Sequence, residues 1–273
     1  MASAKDSRTI VFSHANGFPS GTYRILFEAW RKAGFTVHAI EKFGHDPRYP
    51  VTSNWPHLRD QLVDFIQHEA GAAVYLVGHS LGGYLSLMAA SRRPDLALGV
   101  VLLDSPILSG WKARTVQFAK FTGVSDRFPP AQVSKRRREH WPSSDQAFEH
   151  FASKPAFARW APGVLRDYIA AGTEPQGKGR GLAFDRAIES EIYTSLPHHL
   201  ARLLRTHPLQ CQLAFVGGTE SEELRRVGLS ATARLAHGRI SHLEGSHLFP
   251  LERPVDTAAE VLRWIGALQT PRL

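Results

Sequence analysis

Short runs of apolar and β-branched residues alternate along this chain with stretches whose apolar positions recur at helical spacing. Such alternation is typical of a parallel sheet, because each strand is joined to the next by a crossover that is usually a helix. Six strands are predicted, over residues 9–13, 35–40, 73–77, 98–103, 213–216 and 240–243. Helices are predicted over residues 23–33, 58–70, 81–93 and 258–268. The sequence therefore predicts an α/β fold with a mostly parallel sheet of about six strands flanked by helices.

The alternation breaks down between Pro106 and Pro208, where we find no convincing strand but several helical patterns. This stretch is rich in aromatic residues, namely Trp111, Phe118, Phe121, Phe128, Trp141, Phe148, Phe151, Phe157, Trp160, Tyr168 and Tyr193. Its glycine-rich residues 177–181 lack the spacing of a phosphate loop and are predicted to be a flexible connection. We therefore expect a helical cap insertion, residues 107–195, between two parts of one core, residues 1–106 and 196–273.

Composition excludes several classes of protein. With 273 residues, 43% of them hydrophobic, the chain is expected to fold around one substantial core. The formal charge is +8, but the basic residues are scattered, and the dense run at residues 135–138 is interpreted as a solvated helix face. No nucleic-acid motif accompanies it, so no nucleic-acid partner is predicted.

Cys211 is the only cysteine, which excludes an intramolecular disulfide and metal clusters built on thiolates.

The chain carries no recognisable targeting or membrane-spanning signal. The first eight residues are polar and lack the apolar segment of a secretory signal. No run of 18 or more apolar residues occurs, so no span of a bilayer and no membrane partner is predicted. We expect a soluble cytoplasmic protein.

The strongest chemical signal is the Gly-x-Ser-x-Gly sequence of residues 78–82, which carries Ser80 in its centre. An apolar strand precedes it directly and an amphipathic helix begins at it, as a nucleophile elbow requires. Glycines at both ends let the strand and the helix approach each other, and the start of the helix favours developing negative charge. Ser80 is therefore predicted to be a nucleophile.

A histidine late in the chain is the predicted base. His247 follows the last predicted strand and precedes the last predicted helix, in the segment of residues 244–254. A loop in that place can bring the imidazole over the sheet edge to Ser80, where it would remove the hydroxyl proton. The order of serine first and histidine last also fits this type of fold.

The loop after the first strand, residues 13–19, is predicted to supply part of an oxyanion hole. Acyl transfer requires hydrogen-bond donors aimed at the oxygen that becomes negatively charged. The main-chain amides of Asn16 and Leu81 are the predicted pair of donors. His14 and His79 also lie near this site and are interpreted as scaffold or pocket residues.

The acid that would orient His247 is left open between several residues. An acid is expected after the strand at residues 213–216, where the turn contains Glu220, and this residue is preferred. Asp104, at the tip of the strand that follows the nucleophile helix, is the alternative. Glu222 and Glu223 are the remaining candidates.

These motifs together resemble the α/β-hydrolase superfamily, in its branch of small serine esterases, cofactor-free haloperoxidase-like enzymes and carbon–carbon bond hydrolases. The resemblance rests on the elbow at residues 78–83, the loop at residues 14–19 and the histidine loop at residues 245–254. Only eight residues precede the first strand, so the two usual leading strands of the family are expected to be missing. Ala15 stands where the family usually has glycine. A serine nucleophile disfavours the aspartate-based dehalogenase and epoxide hydrolase chemistries.

The resemblance implies a carboxylesterase-like hydrolase that cleaves an ester, thioester or related carbonyl through an acyl-enzyme on Ser80. We expect a small-molecule substrate with an apolar acyl or aryl group under the aromatic cap, and no metal or organic cofactor. His14, Phe18, Trp111 and Trp160 are the predicted substrate-binding residues.

Two alternatives are kept. A perhydrolase or carbon–carbon bond hydrolase would use the same fold, and a catalytically slow ligand-binding protein would explain an acid missing from its expected turn.

Overall fold

The computed structural model describes residues 8–121 and 129–269. Its strands are β1 (Thr9–Ser13), β2 (Thr36–Ala39), β3 (Val74–His79), β4 (Ala97–Leu103), β5 (His140–Trp141), β6 (Thr173–Gln176), β7 (Gly179–Leu182), β8 (Gln212–Gly218) and β9 (Ile240–Leu243). Six of them form one sheet in the order β2-β1-β3-β4-β8-β9, and every neighbouring pair is parallel. The predicted fold class is confirmed.

Fourteen α-helices accompany these strands within the described ranges. They are α1 (Arg24–Lys32), α2 (Pro56–Glu69), α3 (Leu81–Arg92), α4 (Gly110–Phe121), α5 (Pro129–Arg136), α6 (Ser144–Ala152), α7 (Pro155–Ala158), α8 (Val164–Gly172), α9 (Arg186–Thr194), α10 (Leu200–Thr206), α11 (Glu222–Val227), α12 (Ser230–Ala236), α13 (Phe249–Glu252) and α14 (Pro254–Leu268). Among the described residues, no helix is both long enough and apolar enough to cross a bilayer.

The sheet separates two apolar clusters because successive side chains of a strand point to opposite faces. In β4, Val100 and Leu102 belong to the cluster that also contains α2 and α3 residues. Val101 and Leu103 belong to the cluster that contains residues of α1 and α14. Both faces of the sheet are therefore covered by helices, which explains why the central predicted strands, such as residues 73–77, are continuously apolar rather than alternating.

The segment between β4 and β8 differs from its prediction in one respect. It contains a small antiparallel sheet of order β5-β7-β6, where the sequence suggested no strand. Gly177 turns the chain with a φ of 56°, and β7 begins at Gly179, so the predicted flexible connection at residues 177–181 is wrong. A Cβ at Gly179 would lie 2.4 Å from the carbonyl oxygen of Trp141, so β5 and β7 pair only because this residue has no side chain.

The described segment between β4 and β8 is otherwise helical, from α4 to α10. Phe128, named among its aromatic residues, and residues 1–7, interpreted as a polar start, lie outside the described residues. All six parallel strands end at the same edge of the main sheet. The loops after β1, β3, β4, β8 and β9 consequently meet there, at the place where ligands bind in open α/β sheets.

Candidate active site

Ser80 lies in the sharp turn between β3 and α3, with φ 52° and ψ −113°. Such a conformation is costly for a residue other than glycine and persists only where the surroundings enforce it. Here the surroundings are tight: a Cβ at Gly78 would lie 2.2 Å from the carbonyl oxygen of Gly82, and one at Gly82 would lie 1.9 Å from that of Ser13. Ser80 is partly exposed, whereas both of its neighbours are buried. The elbow predicted from the sequence is present.

His247 lies in the loop between β9 and α13, and its Nδ1 is 2.7 Å from Oδ2 of Asp104. The Asp104 side chain is completely buried and follows β4 directly, with a φ of 44°. It also accepts hydrogen bonds from the amide of Gly218 at 2.8 Å and from the hydroxyl of Ser221 at 2.5 Å. Three donors therefore fix this carboxylate, and it in turn fixes the orientation of the imidazole.

The preference for Glu220 as the acid is contradicted by its contacts. Its carboxylate forms a two-point ion pair with Arg159, at 2.7 and 3.1 Å, and half of its side chain is exposed. The hydrogen bond and charge of Arg159 hold the pKa of Glu220 below its usual value. Glu220 therefore faces solvent and Arg159 rather than the imidazole.

The other two acidic candidates differ from each other. Glu222 is bound to Arg226 at 2.8 Å on the surface of α11. Glu223 lies closer to the site, with Oε2 at 3.7 Å from Nδ1 of His247. Burial alone would lower the pKa of His247, but the hydrogen bond and charge of Asp104 and the charge of Glu223 outweigh it and raise this pKa. The raised pKa makes the imidazole of His247 a better proton acceptor.

The ligand atoms of Asp104, Glu223 and His247 all lie within 4.8 Å of one another, so we compared the group with a metal site. However, two ligands of a tetrahedral zinc ion stand about 3.4 Å apart, as its bond lengths of about 2.0–2.2 Å require. The nitrogen of His247 and the oxygen of Asp104 are already in hydrogen-bond contact at 2.7 Å. We therefore interpret the group as an acid–imidazole pair with a second carboxylate beside it.

His79 connects the histidine loop to the elbow. Its Nε2 is 2.9 Å from the carbonyl oxygen of His247 and its Nδ1 is 2.8 Å from the hydroxyl of Tyr23. Since a carbonyl can only accept, Nε2 carries the proton and Nδ1 accepts from Tyr23. Complete burial, with the charge of His247, lowers the pKa of His79 to about 3. His79, which directly precedes Ser80, is therefore a neutral scaffold residue that holds the His247 loop against the elbow.

The predicted oxyanion loop is held from two sides. His14 is fully buried; its Nδ1 bonds to the oxygen of Ala15 at 2.8 Å and its Nε2 accepts from the amide of Phe43 at 3.0 Å. The side chain of Asn16 donates to the carbonyl of Glu189 at 2.9 Å. Gly17 has a φ of 81°, and a Cβ there would lie 2.7 Å from the carboxylate of Glu189. Leu81 begins α3, where an amide has no acceptor within its helix.

The predicted substrate-binding residues are not brought together as one group. Both ring nitrogens of His14 are bound to the main chain, so it serves the loop. Phe18 and Trp160 have ring centroids 5.8 Å apart and join a cluster around Tyr168. Trp111 is on α4 with 71% of its surface exposed. For Phe18, Trp111 and Trp160 substrate contact stays a prediction.

Two residues that support His247 were missed by the sequence reasoning. Ser221 stands in the turn after β8, where an acid was expected, and bonds to Asp104 instead. Glu252 accepts from both the amide and the hydroxyl of Ser246, at 3.0 and 2.5 Å. Glu252 belongs to the histidine-loop motif itself, and its spacing of six residues from Ser246 is the signal that was available.

The sequence model of the alpha/beta hydrolase family matches residues 10–261. Among curated proteins, the chain is 32% identical over 113 residues to monoglyceride lipase of Homo sapiens, a match of 39% of this chain and 37% of that protein. It is 39% identical over 62 residues to the chloroplastic pheophytinase of Arabidopsis thaliana, covering 23% of this chain and 13% of that protein. The chain thus spans about a third or less of the length of these curated relatives.

Solved structures resemble the whole chain. E-2-(acetamidomethylene)succinate hydrolase superimposes with a TM-score of 0.75 at 20% identity, covering 96% of this chain and 92% of that one. A thioesterase domain from the curacin biosynthetic pathway gives a TM-score of 0.72 at 18% identity, covering 94% and 92%. At such identities the likeness concerns the fold.

Proposed function

Because the chain belongs to the alpha/beta hydrolase family, we propose that it is a serine hydrolase that cleaves an ester or thioester through an acyl-enzyme on Ser80. The observation that carries the proposal is the 2.7 Å contact between Nδ1 of His247 and buried Asp104, in a loop bound to the residue that precedes Ser80. With Nδ1 donating to Asp104, the other nitrogen of His247 is the one left to accept the serine proton.

The reaction follows from these roles. The hydroxyl oxygen of Ser80 attacks the substrate carbonyl while its proton passes to His247, and the imidazolium is stabilised by Asp104. His247 then gives that proton to the leaving alcohol or thiol as the carbon–oxygen or carbon–sulfur bond breaks. Water, deprotonated by His247, attacks the acyl-enzyme, and the acid is released with Ser80 restored.

The amides of Leu81 and Asn16 are the proposed oxyanion donors. Leu81 starts α3, so its N–H has no partner in the helix and the helix end favours negative charge. Asn16 is placed by the bond from its own side chain to Glu189 and by the turn that Gly17 permits. The removal of one such donor typically costs ~2.7–4 kcal/mol of transition-state stabilisation.

We further propose that residues 107–195 form the cap of the site and that the substrate carries an apolar acyl or aryl group. The oxyanion loop contacts Glu189 of this segment, and Phe18 packs against its residues Trp160 and Tyr168. The similar proteins are named as a lipase, a pheophytinase, a thioesterase and a hydrolase of a succinate derivative. The presence of Asp104 weighs against the catalytically slow ligand-binding alternative, which was based on a missing acid.

The test is a Ser80→Ala variant assayed on a series of p-nitrophenyl esters of increasing acyl length, with labelling by a fluorophosphonate probe. We expect kcat/KM to fall by ~10⁴-fold or more and labelling to disappear. Ser153→Ala is the matched control, since Ser153 is exposed on the cap segment and bonds only locally to the carbonyl of His150. Retained hydrolysis or labelling in Ser80→Ala would refute the proposal. The same series run with hydrogen peroxide would reveal perhydrolysis.

A further inference from the structure

Glu252, at the end of α13, is an acidic side chain buried beside the proposed base. Only 5% of its side chain is exposed. Its two oxygens accept hydrogen bonds from Ser246, one from the amide at 3.0 Å and one from the hydroxyl at 2.5 Å. The same hydroxyl accepts from the amide of Leu248 at 3.1 Å. These bonds fix the residues on both sides of His247.

The geometry leaves little freedom in this loop. Gly245 has a φ of 138°, and a Cβ there would lie 2.5 Å from a carboxylate oxygen of Glu252. A Cβ at Gly218 would lie 2.4 Å from the carbonyl oxygen of Ser246. The loop is therefore packed between α13 and the end of β8, with the carboxylate of Glu252 directly against Gly245.

A buried carboxylate requires compensation of its charge. The basic side chain facing Glu252 is Arg159, whose Nη2 is 3.5 Å from Oε2 of Glu252. Arg159 belongs to residues 107–195 and also holds Glu220 of the turn after β8. The amide of Ala161 adds a main-chain bond of 2.9 Å to the carbonyl of Leu251 in α13. The proposed cap segment is thus attached directly to the element that carries Glu252.

We propose that Glu252 is a positioning residue for His247, and that Arg159 holds Glu252 in place from the cap segment. This inference rests on the proposed function, because it assigns a role around the base of that reaction. Glu252 contacts neither the substrate nor the reacting atoms; it acts through Ser246. The position of the base then depends on the cap segment being docked on α13.

The variant Glu252→Gln tests the first part, because it keeps the size of the side chain but replaces one accepting oxygen by an amide group that cannot accept from Ser246. We expect kcat to fall by ~10–100-fold with KM within about twofold of the wild type, as for other residues that orient a reactive group. Glu244→Gln is the control. Glu244 and Glu252 both line a surface cavity of about 660 Å³, but Glu244 is bound to Arg253 and its side chain is 72% exposed.

The second part is tested by Arg159→Met and Arg159→Lys. Methionine removes the charge, and kcat is expected to fall by several-fold, less than in Glu252→Gln. Lysine keeps the charge facing Glu252 but not the planar fork, and is expected to restore more than half of the lost kcat. Ser246→Ala removes the hydroxyl link but keeps the bond from the Ser246 amide to Glu252 and the contact with Arg159, and it serves as the alternative if Glu252→Gln does not fold.

A spectroscopic readout separates this inference from the proposed function. The proton shared by His247 and Asp104 is expected as a downfield resonance in the proton NMR spectrum of the substrate-free protein. It should move or broaden in Glu252→Gln and Ser246→Ala and stay unchanged in Glu244→Gln. This resonance does not depend on Ser80. Hydrolysis that survives in Ser80→Ala would therefore refute the proposed function, while the positioning role of Glu252 would still be tested by the resonance.

The inference is overturned if the Glu252→Gln and Ser246→Ala proteins fold and show the wild-type kcat and resonance. It is equally overturned if they only lose thermal stability while kcat per folded molecule is unchanged, since that is the result of a purely structural role.

Discussion

The turns that follow the neighbouring strands β4 and β8 each present an acidic residue at the same sheet edge, yet they do opposite things. After β4, Asp104 adopts a φ of 44° and its side chain is fully buried among three hydrogen-bond donors. After β8, Glu220 is half exposed and bound to Arg159. The direction in which the chain leaves the strand, and not the place of the strand in the sheet, therefore determines which carboxylate meets the histidine.

The largest effect is expected from exchanging the acid at each turn for its amide. Asp104→Asn should lower kcat by ~10⁴-fold, because an amide no longer stabilises the imidazolium or fixes its tautomer. Glu220→Gln should change kcat by less than about twofold. Steady-state kinetics on one p-nitrophenyl ester checks both. A large loss of kcat in Glu220→Gln, with Asp104→Asn still active, would show that Glu220 and not Asp104 is the acid that orients His247.

A double variant can move the acid from the turn after β4 to the turn after β8. The hydroxyl of Ser221 bonds to the same oxygen of Asp104 that His247 binds, so a carboxylate at position 221 can approach the imidazole. We expect Ser221→Asp to raise the kcat of Asp104→Asn by at least tenfold. The control is Ser221→Asn in the same background, which adds a similar volume without charge and should not restore activity.

A smaller effect is expected for Glu223, whose charge raises the pKa of His247 from 3.7 Å. His247 must be neutral to accept the serine proton, so the acidic limb of kcat/KM follows this pKa. Glu223→Gln removes a charge that favours the imidazolium, which lowers the pKa and moves the limb to lower pH by up to about half a unit. Glu222→Gln, whose partner is Arg226, should leave the pH profile in place.

The smallest effect concerns stability at the turn after β8. Exposed ion pairs contribute little, because solvent and salt screen them. Glu220→Gln is therefore expected to change the melting temperature by less than about 2 °C. Thermal unfolding followed by circular dichroism is the measurement. A large drop would show that the Arg159–Glu220 pair is a main attachment of the cap segment.

Much of the sheet and the elbow could be predicted because each depends on a local pattern. The central strands β1, β3 and β4 consist largely of apolar residues, and the elbow needs glycines that the sequence displays at positions 78 and 82. The acid could not be selected, since nothing local to Asp104 encodes that its chain turns inward with a positive φ. Strand β7 was missed because three of the four residues from 179 to 182 are glycine or arginine, and they carry no apolar alternation.

Gly82 lies directly against the main chain of Ser13, so the conformation of the turn at Ser80 depends on a neighbouring strand. Ser80 acquires its positive-φ conformation only once β1 lies beside β3, because the close packing that holds the turn is supplied by Ser13 of the neighbouring strand. If Ser80 is the nucleophile, as we propose, its reactivity is expected to appear together with the tertiary structure, because a denatured chain carries an ordinary alcohol at that position. In a denaturant titration, covalent capture by a fluorophosphonate should vanish at the same midpoint as the far-ultraviolet dichroism, which would make the probe a gauge of the native population.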